Sequence, residues 1–582
     1  AFFFFKKKGD VVAGGAPGKA AKKKENKVVY QGAVKAIMEG AHPGVETLIP
    51  DLPAGGKKRP AASANISRGV QTDDATVIAN PNAGAAAPKA APAQVSPEDI
   101  FDPGTPGTAA PAEVQETPPP AARTEISEKI FRAYDIRGVV GEELTADTVT
   151  AIGKAIASEA LAAGQQGIVV GRDGRTHSPE LAEALINGIK STGQDVIDIG
   201  MVPTPVTYFA THHLDAKSGV MLTGSHNGPE YNGLKIVIGN ETLSGDAIQN
   251  LYRRVKESDF NDGHGSVQHI EIVTDYIRRI SEEIPVALGN SFKIVVDAGN
   301  GIAGAVAPQL YRAMGHDVVE LYCDVDGNFP NHHPDPSQPE NLEALINKVK
   351  EEQADIGFAF DGDGDRLGVV DGEGNIIWPD RQLMLLAKDV LSRNDGATII
   401  FDVKCSRYLK VMIESSGGKP LMWKTGHSLI KSKMKEVDAP LAGEMSGHIF
   451  FKERWYGFDD AIYTGARMLE VLTASKSKPA EVFAAIPEGI STPELRVALD
   501  ESKHAPFMTA LMQAASFDDA VISDIDGLRA DFPDGFGLVR PSNTSPYLIL
   551  RFEAESQQSL EKIQNMFRES MLAVMSDLDL PF

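Results

Sequence analysis

A serine, a histidine and an asparagine stand together in Thr223-Gly224-Ser225-His226-Asn227, and a lysine, Lys235, follows ten residues after the serine. A serine hydroxyl is a weak nucleophile until a neighbour takes its proton or stabilises its product. The apolar run Val220-Met221-Leu222 leads into the motif. Ser225 is therefore expected in a loop at a strand end, where backbone N–H groups can face an anion. A hydrolytic elbow requires Gly-x-Ser-x-Gly, and Thr223 stands two before Ser225, so that reading fails. Lys235 offers a charge for a phosphate or a proton to shuttle, and His226 joins it as a catalytic candidate. Further along, Ile356–Phe360 reads as a buried strand running into Asp361-Gly362-Asp363-Gly364-Asp365-Arg366. Three carboxylates so close repel one another unless a cation neutralises them. The interposed glycines let the carboxylates converge, and hard oxygen donors suit Mg²⁺. An EF-hand wants Gly at loop position 6 and Glu at 12, where this chain has Arg366 and Gly372. Arg366 is placed to bind a phosphate oxygen. Together the two clusters describe a serine that carries a phosphoryl group beside a divalent cation.

Two more polar loops add binding chemistry. In Gly443-Glu444-Met445-Ser446-Gly447-His448, a carboxylate, a hydroxyl and an imidazole alternate along an extended segment and can point one way. They suit sugar hydroxyls. Arg540-Pro541-Ser542-Asn543-Thr544-Ser545-Pro546 offers a guanidinium and short polar side chains in a turn, a phosphate cradle. Read singly, the serine, sugar and phosphate loops are ordinary turns; their combination carries the weight.

The elements that must position these loops alternate strand-like runs with helical periodicity, as in α/β layers. Three runs look like versions of one unit: Gly167 to Gly174 before a helix at Pro179, Lys293 to Gly301 before a helix over 303–310, and Thr398 to Cys405 before a helix at Tyr408. The expected fold is three tandem related α/β domains with mixed sheets, then a smaller C-terminal α+β domain. Boundaries are expected at 126–272 (phosphoserine), 273–375 (metal), 376–487 (sugar) and 488–582 (phosphate). Residues 1–125, rich in Ala, Pro, Gly and Lys, read as a disordered linker.

With 582 residues the chain is too long for one core. The net charge of −23 is uneven: residues 1–125 carry 15 Lys+Arg and 13 Asp+Glu, and the remainder carries 42 and 67. A globular part that acidic is a poor nucleic-acid binder, and a phosphate site within it must be locally basic. Two cysteines, Cys323 and Cys405, without CxxC spacing exclude a disulfide framework and a thiolate zinc site, and favour a reducing compartment. No apolar run has the ~20 residues of a membrane span. The opening Phe2–Phe5 then Lys6–Lys8 nevertheless resembles the cytoplasmic edge of one. Two expectations stand for it: a fragment of a longer protein tethered to the inner face of a membrane, and a mere remnant. The catalytic part is expected to be cytoplasmic and monomeric.

The four loops, in this order, resemble the phosphomannomutase/phosphoglucomutase enzymes of the α-D-phosphohexomutase superfamily, of the bacterial dual-specificity type in alginate and lipopolysaccharide synthesis. The resemblance spans about 126–582 and includes Tyr134 and Arg137 in Phe-Arg-Ala-Tyr-Asp-Ile-Arg-Gly, Asn328 to Pro336, and His427 in Trp-Lys-Thr-Gly-His-Ser. It implies a phosphorylated Ser225, with a phosphoserine oxygen and Asp361, Asp363 and Asp365 as Mg²⁺ ligands. It implies that Glu444 and Ser446, with His448 beside them, bind the sugar's O3 and O4. It implies that Arg540, Ser542, Asn543 and Thr544 hold the phosphate that is not reacting. Tyr134, Arg137, Lys235, Arg366, Lys404 and His427 become further contacts, with Lys235 and His427 as proton-transfer candidates. The implied reaction passes a phosphoryl group between the 6- and 1-positions of mannose and glucose phosphates through a hexose 1,6-bisphosphate that turns around in the cleft. The family's Pro after Ser-His-Asn is replaced here by Gly228. Two other readings are a phosphoglucosamine mutase, opposed by Met445 where that enzyme has Gln, and a non-catalytic phosphosugar sensor or membrane-tethered adaptor, opposed by the intact serine and aspartates.

Overall fold

The computed structural model describes residues 126–284, 291–543 and 545–582. The expected linker at 1–125, the aromatic–lysine opening and Thr544 lie outside the described residues. Among those described, no helix is long and apolar enough to cross a membrane.

Four sheets follow one another along the chain. The first runs in the order β1 (Ile136–Val139), β5 (Tyr231–Ile238), β4 (Gly219–Leu222), β2 (Gly167–Arg172), β3 (Asp195–Met201) and β7 (Val267–His269), with β6 (Glu241–Thr242) against β5. The second runs β12 (Ile376–Ile377), β11 (Leu367–Asp371), β10 (Ile356–Phe360), β8 (Lys293–Asp297), β9 (Asp317–Leu321). The third runs β14 (Lys419–Trp423), β13 (Thr398–Asp402), β15 (Leu441–Gly443), β16 (Ile449–Phe451), β17 (Phe458–Asp459). The fourth runs β18 (Ile490–Ser491), β23 (Tyr547–Ala554), β22 (Gly535–Pro541), β21 (Leu528–Phe532), β20 (Val521–Ser523), with β19 (Leu495–Ala498) also on β23.

One plan recurs in the first three. Strands β2, β8 and β13, the repeated runs of the sequence, each lie between two parallel neighbours. The second neighbour then turns back into an antiparallel partner: β4 into β5, β10 into β11, β15 into β16. Parallel neighbours require a crossover, supplied by the helices Ser178–Lys190, Ala307–Ala313 and Arg407–Ser415. The expected helix over 303–310 is interrupted: a 3₁₀ turn, Ile302–Ala305, precedes the helix Ala307–Ala313. Pro308 cannot donate a backbone hydrogen bond, so it suits the first turn of a new helix and not the interior of a longer one.

The fourth sheet is antiparallel throughout, with the helices Glu501–Ala514 and Gln557–Val574 packed on it through Phe507, Leu511 and Phe567. The three mixed sheets share a continuous core that includes Val169, Phe209, Val296, Phe358, Phe401 and Phe451.

Candidate active site

Each of the three repeated hairpins turns through one of the polar loops. The β4–β5 turn carries Ser225, the β10–β11 turn carries Asp361, Asp363 and Asp365, and the β15–β16 turn carries Glu444, Ser446 and His448. In the fourth sheet Arg540 stands near the end of β22, and the β22–β23 turn carries Ser542 and Asn543. The same topological position is thus used three times, and these turns with that of the fourth sheet line or back one cleft of about 840 Å³.

The serine turn is held under tension. Ser225 has φ +51°, a conformation few non-glycine residues adopt, and is 2% exposed. Its N–H donates to Thr223 Oγ1 at 2.9 Å, and its Oγ lies 3.2 Å from His226 Nδ1. Burial, with Arg366 and Arg137 nearby, pushes His226 well below the usual histidine range, so its ring is neutral at pH 7. Arg175 fastens the turn from behind. Its Nη2 donates to the carbonyls of Ser225 (2.8 Å) and Asn227 (2.7 Å), and its Nη1 to those of Gly228 (2.5 Å) and Tyr231 (3.0 Å). Asp173 holds Arg175 Nε at 3.1 Å. On the facing strand, Arg137 reaches Asn227 Oδ1 at 2.5 Å and pairs with Asp135.

The aspartate turn meets the serine turn directly: a Cβ at Gly362 would lie 2.4 Å from the Ser225 carbonyl oxygen, which is why this position takes only glycine. Asp361, Asp363 and Asp365 are fully buried, with one oxygen of each within 4.8 Å of the others. Asp361 Oδ1 accepts from the backbone of Gly364, Asp365 and Arg366 at 3.1–3.2 Å. Lys235, from β5, donates to Asp363 Oδ2 at 2.7 Å and pairs with Asp365. Burial opposes the charge on Lys235, but Asp363 and Asp365 outweigh it and raise its pKa well above the usual range. Thr204 Oγ1 donates to Asp363 Oδ2 at 2.5 Å. Asp361 Oδ2 and Asp363 Oδ1 are buried and receive no hydrogen bond. A buried carboxylate oxygen without a donor is costly unless a cation takes that place, so the residues present fit a hard divalent ion.

The β15–β16 turn joins the same network. His448 Nδ1 lies 2.9 Å from Glu444 Oε2, and its Nε2 3.2 Å from Asp365 Oδ1. Burial disfavours the imidazolium, but Asp365 and Glu444 outweigh it and raise His448 to about 9. Ser446 Oγ lies 3.1 Å from His448 Nδ1, and the Gly426 N–H donates to Glu444 Oε1 at 2.5 Å. Arg366 faces Asp361 and Asp335 at 3.8 Å and His448 Nε2 at 3.4 Å. His427 stacks edge-on to Tyr134 with ring centroids 5.6 Å apart, and burial beside Lys431 and Lys235 keeps it neutral.

At the far end of the cleft, Arg540 Nε donates to Asp526 Oδ2 at 2.9 Å while its Nη2 has no partner. Lys404 pairs with Glu494 at 3.0 Å. Asn543 Nδ2 reaches the Thr425 carbonyl at 3.4 Å, and Ser542 Oγ accepts from Ser545 Oγ at 2.7 Å. Every described residue singled out in the sequence therefore lines the cleft or, for the three aspartates, lies buried behind it.

Family models for the three alpha/beta/alpha domains and the C-terminal domain of phosphoglucomutase/phosphomannomutase match residues 128–262, 274–374, 378–489 and 494–570. The chain belongs to the phosphoglucomutase/phosphomannomutase family. It is 56% identical over 453 residues to the phosphomannomutase/phosphoglucomutase of Pseudomonas aeruginosa, covering 78% of this chain and 97% of that protein. It is 54% identical over 447 residues to a phosphoglucomutase of Neisseria meningitidis, covering 76% and 96%. A crystal structure of a phosphoglucomutase/phosphomannomutase family protein from Burkholderia thailandensis superposes with a TM-score of 0.75 at 52% identity, covering 78% of this chain and all of that one.

For this family member, residue-by-residue reading missed Arg175 and Thr204. The signal for Arg175 was present in Gly171-Arg172-Asp173-Gly174-Arg175, a charged turn after a buried strand, and was read only as a strand–helix junction. Thr204 gave none: it opens a helix and meets Asp363 across 159 residues of sequence.

Proposed function

We propose that the chain moves a phosphoryl group between O1 and O6 of glucose and mannose phosphates, through a phosphoserine at 225 and a hexose 1,6-bisphosphate. The observation that carries this reading is the convergence of four hairpin turns, one per sheet, on one cleft. A buried serine, an acidic cluster, a sugar-type loop and an arginine with an unpartnered nitrogen meet there.

In the first half-reaction the Oγ–P bond of phosphorylated Ser225 breaks while a P–O bond forms to the free hydroxyl of the sugar monophosphate. That hydroxyl gives up its proton, for which the neutral His427 is the candidate acceptor, while Lys235, kept protonated by Asp363 and Asp365, is the candidate to give one to the departing Ser225 Oγ. The bisphosphate then reverses in the cleft, and its other phosphate returns to Ser225 Oγ. Glu444 and Ser446 bind O3 and O4, which exchange places when the sugar flips, so one loop serves both poses. Glucose and mannose differ at C2, which such a loop does not read; dual specificity follows. Arg540, Ser542, Asn543 and Thr544 hold the phosphate that is not reacting. Asp361, Asp363 and Asp365 would hold a divalent cation, Mg²⁺ by the hardness of the donors, which neutralises phosphoryl oxygens when bound.

The test is turnover of glucose 1-phosphate and mannose 1-phosphate with Mg²⁺ and a trace of hexose 1,6-bisphosphate, alongside the intact mass of the protein. Comparable turnover of both sugars is expected, with one covalent phosphate present in the wild type and absent from an inactive Ser225→Ala variant. Undiminished turnover by Ser225→Ala would overturn the mechanism, and preference for glucosamine 1-phosphate would reassign the substrate.

A further inference from the structure

A second set of metal-type donors lies beside the aspartate cluster. One ligand atom each from Asp365, His448 and Asp459 fall within 4.8 Å of one another, and all three residues are buried. Asp459 ends β17, outside the four polar turns. Its Oδ1 accepts from Lys431 Nζ at 2.9 Å. Its Oδ2 is buried and receives no hydrogen bond, although it stands 3.5 Å from His427 Nδ1, which is also unpartnered. A fully buried carboxylate oxygen left without a donor is a place for a cation.

The donor chemistry separates this set from its neighbour. Asp361, Asp363 and Asp365 offer oxygen alone, which suits Mg²⁺. The second set adds an imidazole, which suits zinc, cobalt or nickel. Glu444 Oε2, 2.9 Å from His448 Nδ1, keeps a proton on that nitrogen, so a metal ion would bind at Nε2 and release to solvent the proton held there against Asp365 Oδ1, 3.2 Å away. A carboxylate behind a metal-binding histidine is the usual arrangement for fixing its orientation and raising its basicity.

We propose that Asp365, His448 and Asp459 form a second, nitrogen-containing divalent-metal site that takes Zn²⁺ or Co²⁺ and shuts the cleft down. Three protein ligands leave a fourth tetrahedral position for water or another ligand. Two consequences follow from shared residues. Asp365 cannot serve both ions with its full set of oxygens, and His448 Nε2, bound to metal, no longer faces Arg366 and the sugar. The inhibitory consequence rests on the mutase reading above; the binding itself does not.

The experiment therefore measures binding without turnover. The full chain, saturated with Mg²⁺, is titrated with Co²⁺ and followed by visible absorption. A nitrogen-ligated Co²⁺ band that persists as Mg²⁺ is raised is expected, with one equivalent bound beyond the Mg²⁺-sensitive one. Asp459→Asn should weaken that binding by at least ~10-fold while leaving the Mg²⁺-sensitive equivalent in place. In the mutase assay, Zn²⁺ inhibition that saturating Mg²⁺ relieves only in part is expected, because the ions share Asp365 but not His448 or Asp459; it is lost in the same variant when each protein is scaled to its own uninhibited rate. A single equivalent of Co²⁺, fully displaced by Mg²⁺, overturns the proposal whether or not Asp459→Asn folds.

Discussion

Lys235 occupies the space where charge is most concentrated, with its ammonium against Asp363 and Asp365 and all three side chains buried. Removing one partner from such a cluster leaves buried charge uncompensated, at about 3–5 kcal/mol. Lys235→Met should therefore melt well below the wild type in EDTA. Added Mg²⁺ should restore most of the loss, because a cation at the aspartates replaces the missing ammonium. Thermal melts of both proteins across a Mg²⁺ titration check this; an equal response in the two would show that Lys235 does not compensate those carboxylates. Gly228 is the opposite case, a residue whose identity matters little. The nearest atoms a Cβ there would meet are those of the Glu230 carboxylate, from 2.5 Å, the far end of a flexible side chain. The anchor of the turn is the Gly228 carbonyl, which any residue supplies to Arg175. Gly228→Ala is expected to keep kcat within about twofold and to gain roughly 0.4–1 kcal/mol from a less flexible unfolded chain, read as a small rise in melting temperature.

The hairpin turn is the element that explains the site. A strand that leaves a parallel trio and folds straight back exposes its turn at the same edge each time, so three copies of one plan deliver three loops to one place. Arg175 shows what keeps such a turn in position: four carbonyls of the serine turn accept from one buried guanidinium. Arg175→Met should lower kcat by about 10²-fold, the scale expected for a nucleophile displaced by an ångström, with KM nearly unchanged; Arg175→Lys should rescue little, since one ammonium cannot span four acceptors. A second anchor depends on pH. His332 Nε2 lies 3.0 Å from Asp297 Oδ2 at the end of β8, in the segment that places Phe329 5.0 Å from the Arg175 guanidinium. Burial opposes the His332 charge, but the Asp297 bond outweighs it and raises its pKa. A raised folded pKa gives stability that is full below the ordinary histidine range and is lost as pH rises through the folded value. The melting difference between wild type and His332→Gln should thus be largest near about pH 5.5 and shrink toward about pH 8.5; a constant difference would mean packing alone. The repeated strands and the four loops were legible in the sequence because each is local: an apolar run, then a polar turn. Arg175 and Thr204 were not, because their importance lies in what they meet 50 and 159 residues away. The broken helix after Gly301 was masked by alanines that suit either form.

At the scale of the molecule, the four sheets are not equally joined. The three mixed sheets share one apolar core, tied further by Tyr276, whose hydroxyl donates to Asp460 at 2.8 Å, and by Trp455 stacked on Phe209 at 5.8 Å. The fourth sheet keeps its own core around Leu550 and Phe567. It meets the third through a small cluster, Val403 with Phe536 and Leu538, and otherwise through polar contacts. Arg529 Nη1 donates to the Val403 and Cys405 carbonyls at 2.6 and 2.8 Å, Arg551 pairs with Asp380 at 3.1 Å, and Ser406 Oγ donates to Glu553 at 3.0 Å. A polar junction of this kind permits one body to rotate on another, as an apolar core does not. The fourth sheet is therefore the part that can close on a ligand, and Arg540, with Nη2 unpartnered, is the group that would gain a contact by closing. Hexose 1,6-bisphosphate should lower the radius of gyration of the wild type in solution scattering and leave Arg540→Gln nearly unchanged. The same variant should raise KM by ~10- to 150-fold, the equivalent of one charge-assisted contact of roughly 1.5–3 kcal/mol. If the ligand binds tightly and the radius does not move, the junction is rigid and Arg540 acts from a fixed position; if Arg540→Gln closes as fully as the wild type, closure is driven from the three-sheet side of the cleft.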